Sequence, residues 1–240
     1  MNFVSHTLVR QGMPFIDLVL RQVIPFANRC LVTISEKSTD GTLQILRKLE
    51  KEFPDKIKID FENVQSAGEL TNERQKQVEK TYEDFILFLD DDDYWPTESL
   101  EKMIELIEKD NDVDGYSINP YQVIDQRHYD GGWWNKWFSK WFKNQSGINY
   151  RGKWPRDMIW LNDTMLYWKT NPCIPKVSQF FDYDYPRFFH LSYIKGHSFR
   201  SEDWAKKFAH QIGTPIVFPK NEMKHIWKIY EELHAKSSRT

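Results

Sequence analysis

The run FILFL at residues 85–89, with four aspartates directly after it, constrains the fold of this 240-residue chain more than any other feature. Five consecutive apolar side chains predict a central strand that is buried on both faces of a sheet. The carboxylates of Asp90, Asp91, Asp92 and Asp93 repel one another, so a cation is needed to offset their charge. We therefore expect this strand to end at the crevice edge of a sheet, where ligands bind.

The first 124 residues alternate short apolar runs with helical patterns, which is typical of a parallel α/β sheet. Besides 85–89, strands are predicted at 3–9, 31–34, 56–62 and 115–124. Helices are predicted after Pro14, around Leu43, Leu46 and Leu49, over 69–82 and after Pro96. Five strands that alternate with four helices predict a doubly wound, Rossmann-like half, in which ligands bind at the carboxyl ends of the strands.

The character of the chain changes after Ile124. Up to that residue it carries 14 basic and 24 acidic side chains, a net charge of −10, whereas the remainder carries 19 and 11, a net charge of +8. Seven of the ten tryptophans lie between 133 and 168. A basic, aromatic second half indicates an anionic or ring-bearing partner. For this half we predict an amphipathic helix over 131–147, short strands around 158–168, and helices near 202–211 and 220–235.

The cysteines and the hydropathy pattern indicate the compartment. Cys30 and Cys173 are the two cysteines, and neither lies in a CxxC pattern, so a disulfide framework or a thiolate zinc site is not expected. The sequence does not open with a basic, cleavable leader, and no apolar stretch approaches the ~18 residues that span a bilayer. We expect a cytoplasmic protein without a transmembrane segment.

The spacing Asp90-x-Asp92 is suited to a metal ion. Alternate residues leave the end of a strand on the same side, so both carboxylates can face one divalent cation. A hard ion such as Mn2+ or Mg2+ prefers oxygen ligands and keeps open positions for phosphate oxygens. The pattern therefore predicts a nucleotide-diphosphate site. The alternatives are a solvated acidic turn, or acidic residues that favour the start of the helix at Thr97.

Four motifs, taken in order, resemble those of the family-2-like glycosyltransferases of the GT-A fold: TLV at 7–9, SEKSTDGT at 35–42, GELTNERQ at 68–75 and FLDDDDYWP at 88–96. The resemblance implies an α/β GT-A fold, with a mostly parallel sheet flanked by helices and an aromatic-rich C-terminal acceptor half. It implies that residues 1–124 bind a nucleotide sugar and that residues 125–240 bind the acceptor. The implied activity is metal-dependent transfer of a sugar from a nucleoside-diphosphate donor, a UDP-sugar.

The same resemblance implies roles for residues of the donor site. Thr7, Leu8 and Val9 would line the base pocket, Glu36 would contact uracil or ribose, Arg74 would neighbour the base, and Asp90 and Asp91 would face the donor. Asp92 would be the direct ligand of Mn2+ or Mg2+. The chain departs from the family at Ser35 and Glu36, where the family usually has aspartate, and at NERQ (72–75), where the family has a small Ala-Arg-Asn type of segment.

Residues of the second half would complete the chemistry. His190, at the end of a predicted strand, is a candidate ligand for the metal or the diphosphate, and burial in an aromatic core beside Phe188 and Phe189 is the alternative. An inverting transferase also needs a carboxylate base to take the proton of the acceptor hydroxyl. Candidate bases are Asp157, Asp163, Asp182 and Asp184, of which Asp157 and Asp184 enter the predicted site. A retaining enzyme requires no such base.

The tryptophan-rich stretch has several interpretations. Trp133, Trp137 and Trp154, with Trp134 and Trp141, are predicted to stack on the rings of an acceptor while neighbouring lysines and arginines meet phosphate. The acceptor would be a glycan, a modified nucleic acid or a lipid-linked sugar. Alternatively, the stretch forms the core and lid of the acceptor half, or lies on an anionic membrane surface. A non-catalytic module that binds glycan, nucleic acid or a membrane surface is the competing function.

Overall fold

The computed structural model describes residues 1–63, 67–109, 114–118, 120–123, 128–130, 138–152, 158–165, 171–172, 188–191, 214–215, 224, 226–228 and 231–232. In chain order its elements are β1 (Phe3–Val9), α1 (Ile16–Val23), β2 (Arg29–Ser35), α2 (Thr42–Glu52), β3 (Ile57–Glu62), α3 (Ala67–Glu79), β4 (Phe85–Phe88), β5 (Asp93–Tyr94), α4 (Thr97–Lys109), β6 (Gly115–Ile118), β7 (Tyr121–Val123), β8 (His128–Asp130), β9 (Phe138–Lys143), β10 (Ile148–Arg151), β11 (Met158–Leu161), β12 (Thr164–Met165), β13 (Asn171–Pro172), β14 (Phe189–His190) and β15 (Thr214–Pro215).

A mostly parallel sheet forms the centre of the fold. Within the described residues it has seven strands in the order β13-β6-β9-β4-β1-β2-β3. The pairs β1–β2, β1–β4, β2–β3 and β6–β13 are parallel, and β9 runs antiparallel to both β4 and β6. All four residues of β4 are buried, so the prediction of a central strand in an α/β sheet is confirmed.

The helices cover the sheet with apolar faces that have helical spacing. In α1, Ile16, Val19, Leu20 and Val23 are buried, and positions three and four apart share one face of a helix. In α4, the buried residues Leu100, Met103 and Ile107 follow the same rule. Both sets belong to the main hydrophobic core, together with Phe3 of β1. The predicted alternation of strands and helices over the first half is therefore correct.

The strand predicted over 115–124 is two strands. β6 belongs to the seven-stranded sheet, whereas β7 belongs to a five-stranded sheet of order β15-β8-β7-β14-β5. Residue 120, between them, is a proline, which has no N–H to donate to a continuous ladder. The chain therefore changes sheets at this point.

The helix predicted over 131–147 is wrong for residues 138–143, which form β9 between β4 and β6. Residues 131–137 lie outside the described residues. Adjacent side chains of β9 are buried in different clusters, Trp141 with Phe3 and Trp95, and Phe142 with Phe88. This alternation is the period of a strand. The short strands expected around 158–168 are present as β11 and β12, which pair with β10 in a three-stranded sheet.

The topology brings several predicted site residues to one edge. β1, β2 and β4 are parallel, so the carboxyl ends of these three strands, and the acidic residues after β4, meet at the same edge of the sheet. β5, which begins at the last of these acidic residues, pairs with β14 and places His190 opposite Asp93. A segment about 100 residues further along the chain thus closes this edge.

The C-terminal region is described at separate positions. Residues 224, 226–228 and 231–232 are helical, and Ile226 is buried in the main core. The helix predicted near 202–211 lies outside the described residues. Cys30 is a buried free thiol, and Cys173 lies outside the described residues. Among the helices that the structure describes, none has the length and apolar character needed to cross a membrane.

Candidate metal and nucleotide site

The acid turn, residues 90–93, connects β4 to β5. The backbone N–H of Asp93 donates to the carbonyl of Asp90 at 3.1 Å, and the backbone N–H of Asp90 donates to Oδ2 of Asp93 at 3.2 Å. Asp92 and Asp93 are buried, whereas Asp90 and Asp91 are half-buried. The turn is therefore a defined structure with two buried carboxylates, and the interpretation as a merely solvated acidic turn is wrong.

Lys140 of β9 supplies a positive charge to the acid turn. Its Nζ lies 2.6 Å from Oδ2 of Asp90 and 2.5 Å from Oδ2 of Asp93. Burial by itself would lower the pKa of Lys140, but the two carboxylates outweigh burial and raise it well above its usual range. The two carboxylates therefore favour the charged form of Lys140. The sequence predicts that Lys140 is one of the basic residues that meet phosphate, and this role at the acid turn was not foreseen because the segment was assigned to a helix.

Asp90 also pairs with Arg74 of α3. Nη2 of Arg74 donates to Oδ1 of Asp90 at 2.9 Å, and the guanidinium lies 5.5 Å and 5.7 Å from the ring centroids of Phe88 and Tyr150. Burial would raise the pKa of Asp90, but Lys140 and Arg74 outweigh burial and hold this pKa far below its usual range. Asp90 is therefore ionised, and it forms ion pairs with the side chains of Lys140 and Arg74.

His190 faces the two buried carboxylates of the acid turn. Its Nδ1 lies 2.8 Å from Oδ1 of Asp93 and 3.4 Å from Oδ1 of Asp92. Burial would lower the pKa of His190, but Asp92 and Asp93 outweigh burial and raise it. A carboxylate acceptor at 2.8 Å favours the tautomer with the proton on Nδ1, which leaves the lone pair on Nε2. The structure therefore brings together the two predicted metal ligands, Asp92 and His190.

The same group of residues fits a divalent cation. One potential ligand atom from each of Asp92, Asp93 and His190 can be chosen so that all three lie within 4.8 Å of one another. Asp93 already contacts His190 with Oδ1 and Lys140 with Oδ2. A carboxylate that orients a histidine in this way is the usual outer partner of a metal-binding imidazole. Asp92 and Nε2 of His190 would therefore bind the ion directly, and Asp93 would orient the histidine.

The predicted base pocket lies at the ends of β1 and β2. Thr7 and Val9 are buried, Leu8 is half-buried and Glu36 is exposed. The carbonyl of Thr7 accepts a hydrogen bond from Nε2 of Gln77, which fixes α3 against β1. Thr7, Leu8 and Val9 thus reach the same sheet edge as the acid turn, and Arg74 of α3 joins them through its pair with Asp90.

Some of the predicted site residues do not lie at the acid turn or the base pocket. Asp163 lies in the turn between β11 and β12 with a fully exposed side chain, 3.5 Å from Nη1 of Arg151, so it lacks the enclosure expected of a catalytic base. The prediction that Trp141 stacks on a ligand is wrong, because its side chain is fully buried. The centroid of its ring lies 4.8 Å from that of Phe3 and 6.0 Å from that of Trp95. For Trp141, the alternative of a core position is correct. The following lie outside the described residues: Asp157, Asp182, Asp184, Trp133, Trp134, Trp137 and Trp154.

The mostly parallel, helix-flanked sheet with an acid turn at the end of its central strand is the architecture expected of the GT-A fold. The family model of glycosyl transferase family 2 matches residues 14–165, more than half of the chain. The chain therefore belongs to glycosyl transferase family 2, and the resemblance inferred from its motifs is confirmed.

Individual relatives are distant and longer. The putative teichuronic acid biosynthesis glycosyltransferase TuaG of Bacillus subtilis (strain 168) is 31% identical over 77 residues, which are 32% of this chain and 29% of TuaG. The crystal structure of S. aureus TarS is 19% identical, with a TM-score of 0.46 over 60% of this chain and 28% of TarS. The mannosyltransferase PcManGT from Pyrobaculum calidifontis, in complex with GDP-Man and Mn2+, is 18% identical, with a TM-score of 0.41 over 50% of this chain and 35% of PcManGT. The matches thus span less than a third of TuaG and of TarS.

Proposed function

We propose that this protein is a metal-dependent glycosyltransferase that moves a sugar from a nucleoside-diphosphate donor, a UDP-sugar, to an acceptor. The observation that carries the proposal is the position of Asp92 beside His190, at the sheet edge where β1 and β4 end. A carboxylate and an imidazole at this position are suited to a divalent cation that also binds a diphosphate. Membership of glycosyl transferase family 2 agrees with this chemistry.

The donor would lie along the edge formed by β1, β2 and the acid turn. Thr7, Leu8, Val9 and Glu36 would contact the nucleoside, with Arg74 beside the base and Asp90 and Asp91 towards the ribose. The guanidinium of Arg74 is held between two aromatic rings and a carboxylate, so it is already oriented before a donor binds. Pre-ordering of this kind lowers the entropy cost of binding.

The cation would be Mn2+ or Mg2+, bound by Asp92 and His190. Because an imidazole nitrogen is a softer ligand than oxygen, the pair favours Mn2+ over Mg2+. Once bound, the cation would offset the negative charge that grows on the leaving diphosphate.

Transfer breaks the bond between the anomeric carbon and the diphosphate oxygen and forms a bond from that carbon to the acceptor hydroxyl oxygen. The electron pair of the broken bond leaves with the nucleoside diphosphate. In an inverting reaction the hydroxyl proton passes to a carboxylate base, and Asp157 and Asp184 are our candidates. In a retaining reaction the hydroxyl proton would pass to an oxygen of the departing diphosphate, so no carboxylate base is needed.

Residues 125–240 would bind the acceptor. We propose that Trp133, Trp137 and Trp154 stack on its rings, because aromatic side chains combined with basic ones suit a sugar-containing anion. The acceptor would be a glycan, a modified nucleic acid or a lipid-linked sugar. A cytoplasmic location, inferred from the two isolated cysteines, belongs to the same proposal.

Donor hydrolysis without acceptor tests the proposal. Purified protein is incubated with UDP-glucose, UDP-N-acetylglucosamine or GDP-mannose, with Mn2+, with Mg2+ or with EDTA, and released nucleoside diphosphate is measured. We expect slow, metal-dependent release of UDP from one UDP-sugar, most rapid with Mn2+. The anomeric configuration of the released sugar, read by NMR at early times, reports inversion or retention. Binding of a UDP-sugar without any release of UDP would favour the non-catalytic binding module instead.

A further inference from the structure

Lys140 contacts both segments of the chain that build the candidate metal site. Its Nζ lies within 2.6 Å of carboxylate oxygens of both Asp90 and Asp93, at the two ends of the acid turn. The same Nζ lies 5.3 Å from the ring centroid of Phe188, which directly precedes β14 and His190. One ammonium group therefore holds the acid turn closed and packs against the segment that carries the histidine.

The position of Lys140 follows from the pairing of β9 with β4. The two strands are antiparallel, with Trp141 opposite Leu87. The preceding residue on β9 therefore lies closer to the carboxyl end of β4, where the acid turn begins. β9 comes from the second half of the chain, so this half contributes a charged residue to the edge formed by the first.

Burial excludes a direct contact between Lys140 and a diphosphate. Only 7% of its side chain is exposed, and two carboxylates already occupy the ammonium at ion-pair distance. A phosphate would have to displace Asp90 or the fully buried Asp93 to reach it. Lys140 therefore acts on other residues and not on the donor.

We propose that Lys140 is a positioning residue of the metal site: it holds Oδ2 of Asp93, so that Oδ1 of Asp93 accepts the Nδ1 proton of His190 and Nε2 keeps its lone pair for the cation. This inference rests on the proposed function, in which Asp92 and His190 bind the cation. Without the ammonium, the carboxylates of Asp90 and Asp93 repel each other, and Asp93 loses the cation that holds its Oδ2. The imidazole of His190 is then no longer held in one orientation. Loss of an outer partner of a metal-binding histidine typically weakens metal binding about 10–100-fold.

Direct Mn2+ binding, without nucleotide, tests this role. Lys140→Met removes the charge and keeps an unbranched side chain, whereas Lys140→Arg keeps the charge. Lys143→Met is the matched control, because Lys143 lies at the other end of β9, opposite Phe85. The free Mn2+ signal in electron paramagnetic resonance titrations should show an affinity about 10–100-fold weaker for Lys140→Met. Lys140→Arg should recover most of the loss, and Lys143→Met should match the wild type.

A spectroscopic readout separates positioning from a general structural role. Long-range ¹H–¹⁵N spectra of the imidazoles report the tautomer of each histidine, and the signals of His190 are identified by their loss in His190→Gln. Wild type and Lys140→Arg should show His190 with the proton on Nδ1, whereas Lys140→Met should show a tautomer mixture or exchange broadening. A single Nδ1-protonated form in Lys140→Met would contradict the proposal.

The outcomes distinguish the two claims. A folded Lys140→Met with wild-type Mn2+ affinity overturns the role of Lys140 and leaves the metal site intact. A wild-type protein that binds no Mn2+ overturns the metal site itself, and the role of Lys140 with it. If Lys140→Met does not fold, Lys140→Gln replaces it, because its amide can donate hydrogen bonds but has no charge to offset the two carboxylates. Lys140→Gln should also weaken Mn2+ binding, and wild-type affinity in this variant overturns the proposal.

Discussion

Nδ1 of His190 lies 2.8 Å from Oδ1 of Asp93, although the two residues are 97 positions apart in the chain. The antiparallel pairing of β5 with β14 places them opposite each other, so the backbone of two different segments fixes the distance. The carbonyl of Asp92 accepts a hydrogen bond from the backbone N–H of Leu191 at 2.8 Å, which fixes the same register from the other side. The backbone of β14 therefore holds the imidazole of His190 against the acid turn.

Replacing His190 with alanine should weaken metal-supported nucleotide binding. Removal of one cation ligand should lower the affinity for UDP in Mn2+ by about tenfold or more, the range seen when partners of a metal site are lost. Isothermal titration of UDP, with Mn2+ and with EDTA, measures the effect. The affinity in EDTA should be equal in variant and wild type, and an equal loss in both conditions would show that His190 acts on the nucleotide without a metal.

His6 of β1 should make stability depend on pH. Burial, with the positive charges of Arg74 and Arg29, lowers the pKa of His6 to about 3. An unfolded histidine has a pKa of about 6.5, so below that pH the unfolded chain binds a proton at this residue and the folded chain does not. The free energy of unfolding should therefore fall as the pH drops from about 6.5 towards 3, by at most about 1.4 kcal/mol per pH unit from this residue.

The variant His6→Gln isolates this effect. Glutamine keeps a group that can hydrogen-bond Oγ1 of Thr81, the partner of Nε2 of His6 at 2.7 Å. Urea unfolding of wild type and variant at pH 7 and pH 5 gives the difference in pH dependence, and the contributions of other groups cancel. The variant should lose less stability between these pH values. An identical loss in both proteins would contradict the prediction.

Trp141 should contribute strongly to stability, because it is a core residue of a central strand. Its ring is fully buried against Phe3 and Trp95, and removal of a buried aromatic ring costs about 3–5 kcal/mol. Trp141→Ala should lower the free energy of unfolding by about this amount in urea titrations. Tyr82→Ala is the control: Tyr82 is 73% exposed, and the variant should lose at most about 1 kcal/mol. Equal small losses would mean that β9 is not part of the core.

The acid turn was predictable from local sequence, and the residues that surround it were not. FILFL followed by four aspartates specifies a buried strand and its end within nine residues, without knowledge of the rest of the chain. The partners of the turn come from β9 and β14, whose positions depend on long-range pairing. His190 was proposed from its residue type and the family resemblance, but its contact with Asp93 depends on the register of β5 and β14.

Lys140 was predicted to meet phosphate, and its ion pairs with the acid turn were not foreseen, because its segment fits two periods. Trp133, Trp137 and Trp141 are four residues apart, as on one face of a helix, whereas FSKWFK at 138–143 also suits a strand buried on both sides. β4 and β6 each pair with this segment, and these pairings, which the sequence does not display, select the strand. Once the segment is a strand, Lys140 falls beside the end of β4, where its charge has partners.

Cys30 should be unreactive in the folded protein. It is fully buried in β2, and burial raises the pKa of its thiol to about 11, so little of the reactive thiolate exists at pH 8. Alkylation with iodoacetamide at pH 8, followed by peptide mass mapping, should leave Cys30 unmodified in native protein and modified after unfolding in urea. Rapid native labelling of the Cys30 peptide would contradict the burial of β2.

The role of Asp92 is tested by a comparison of two aspartates at opposite ends of β4. Asp92 lies in the acid turn after β4, whereas Asp84 is exposed and directly precedes the strand, so Asp84→Ala is a matched control for Asp92→Ala. The measurement is isothermal titration of UDP in Mn2+ and in EDTA, with circular dichroism to establish that each variant is folded. We predict that Asp92→Ala loses the increment of affinity that Mn2+ provides, at least about tenfold, while Asp84→Ala retains it. Folded Asp92→Ala with the full Mn2+-dependent affinity of the wild type would contradict the assignment of Asp92 as a ligand of the cation.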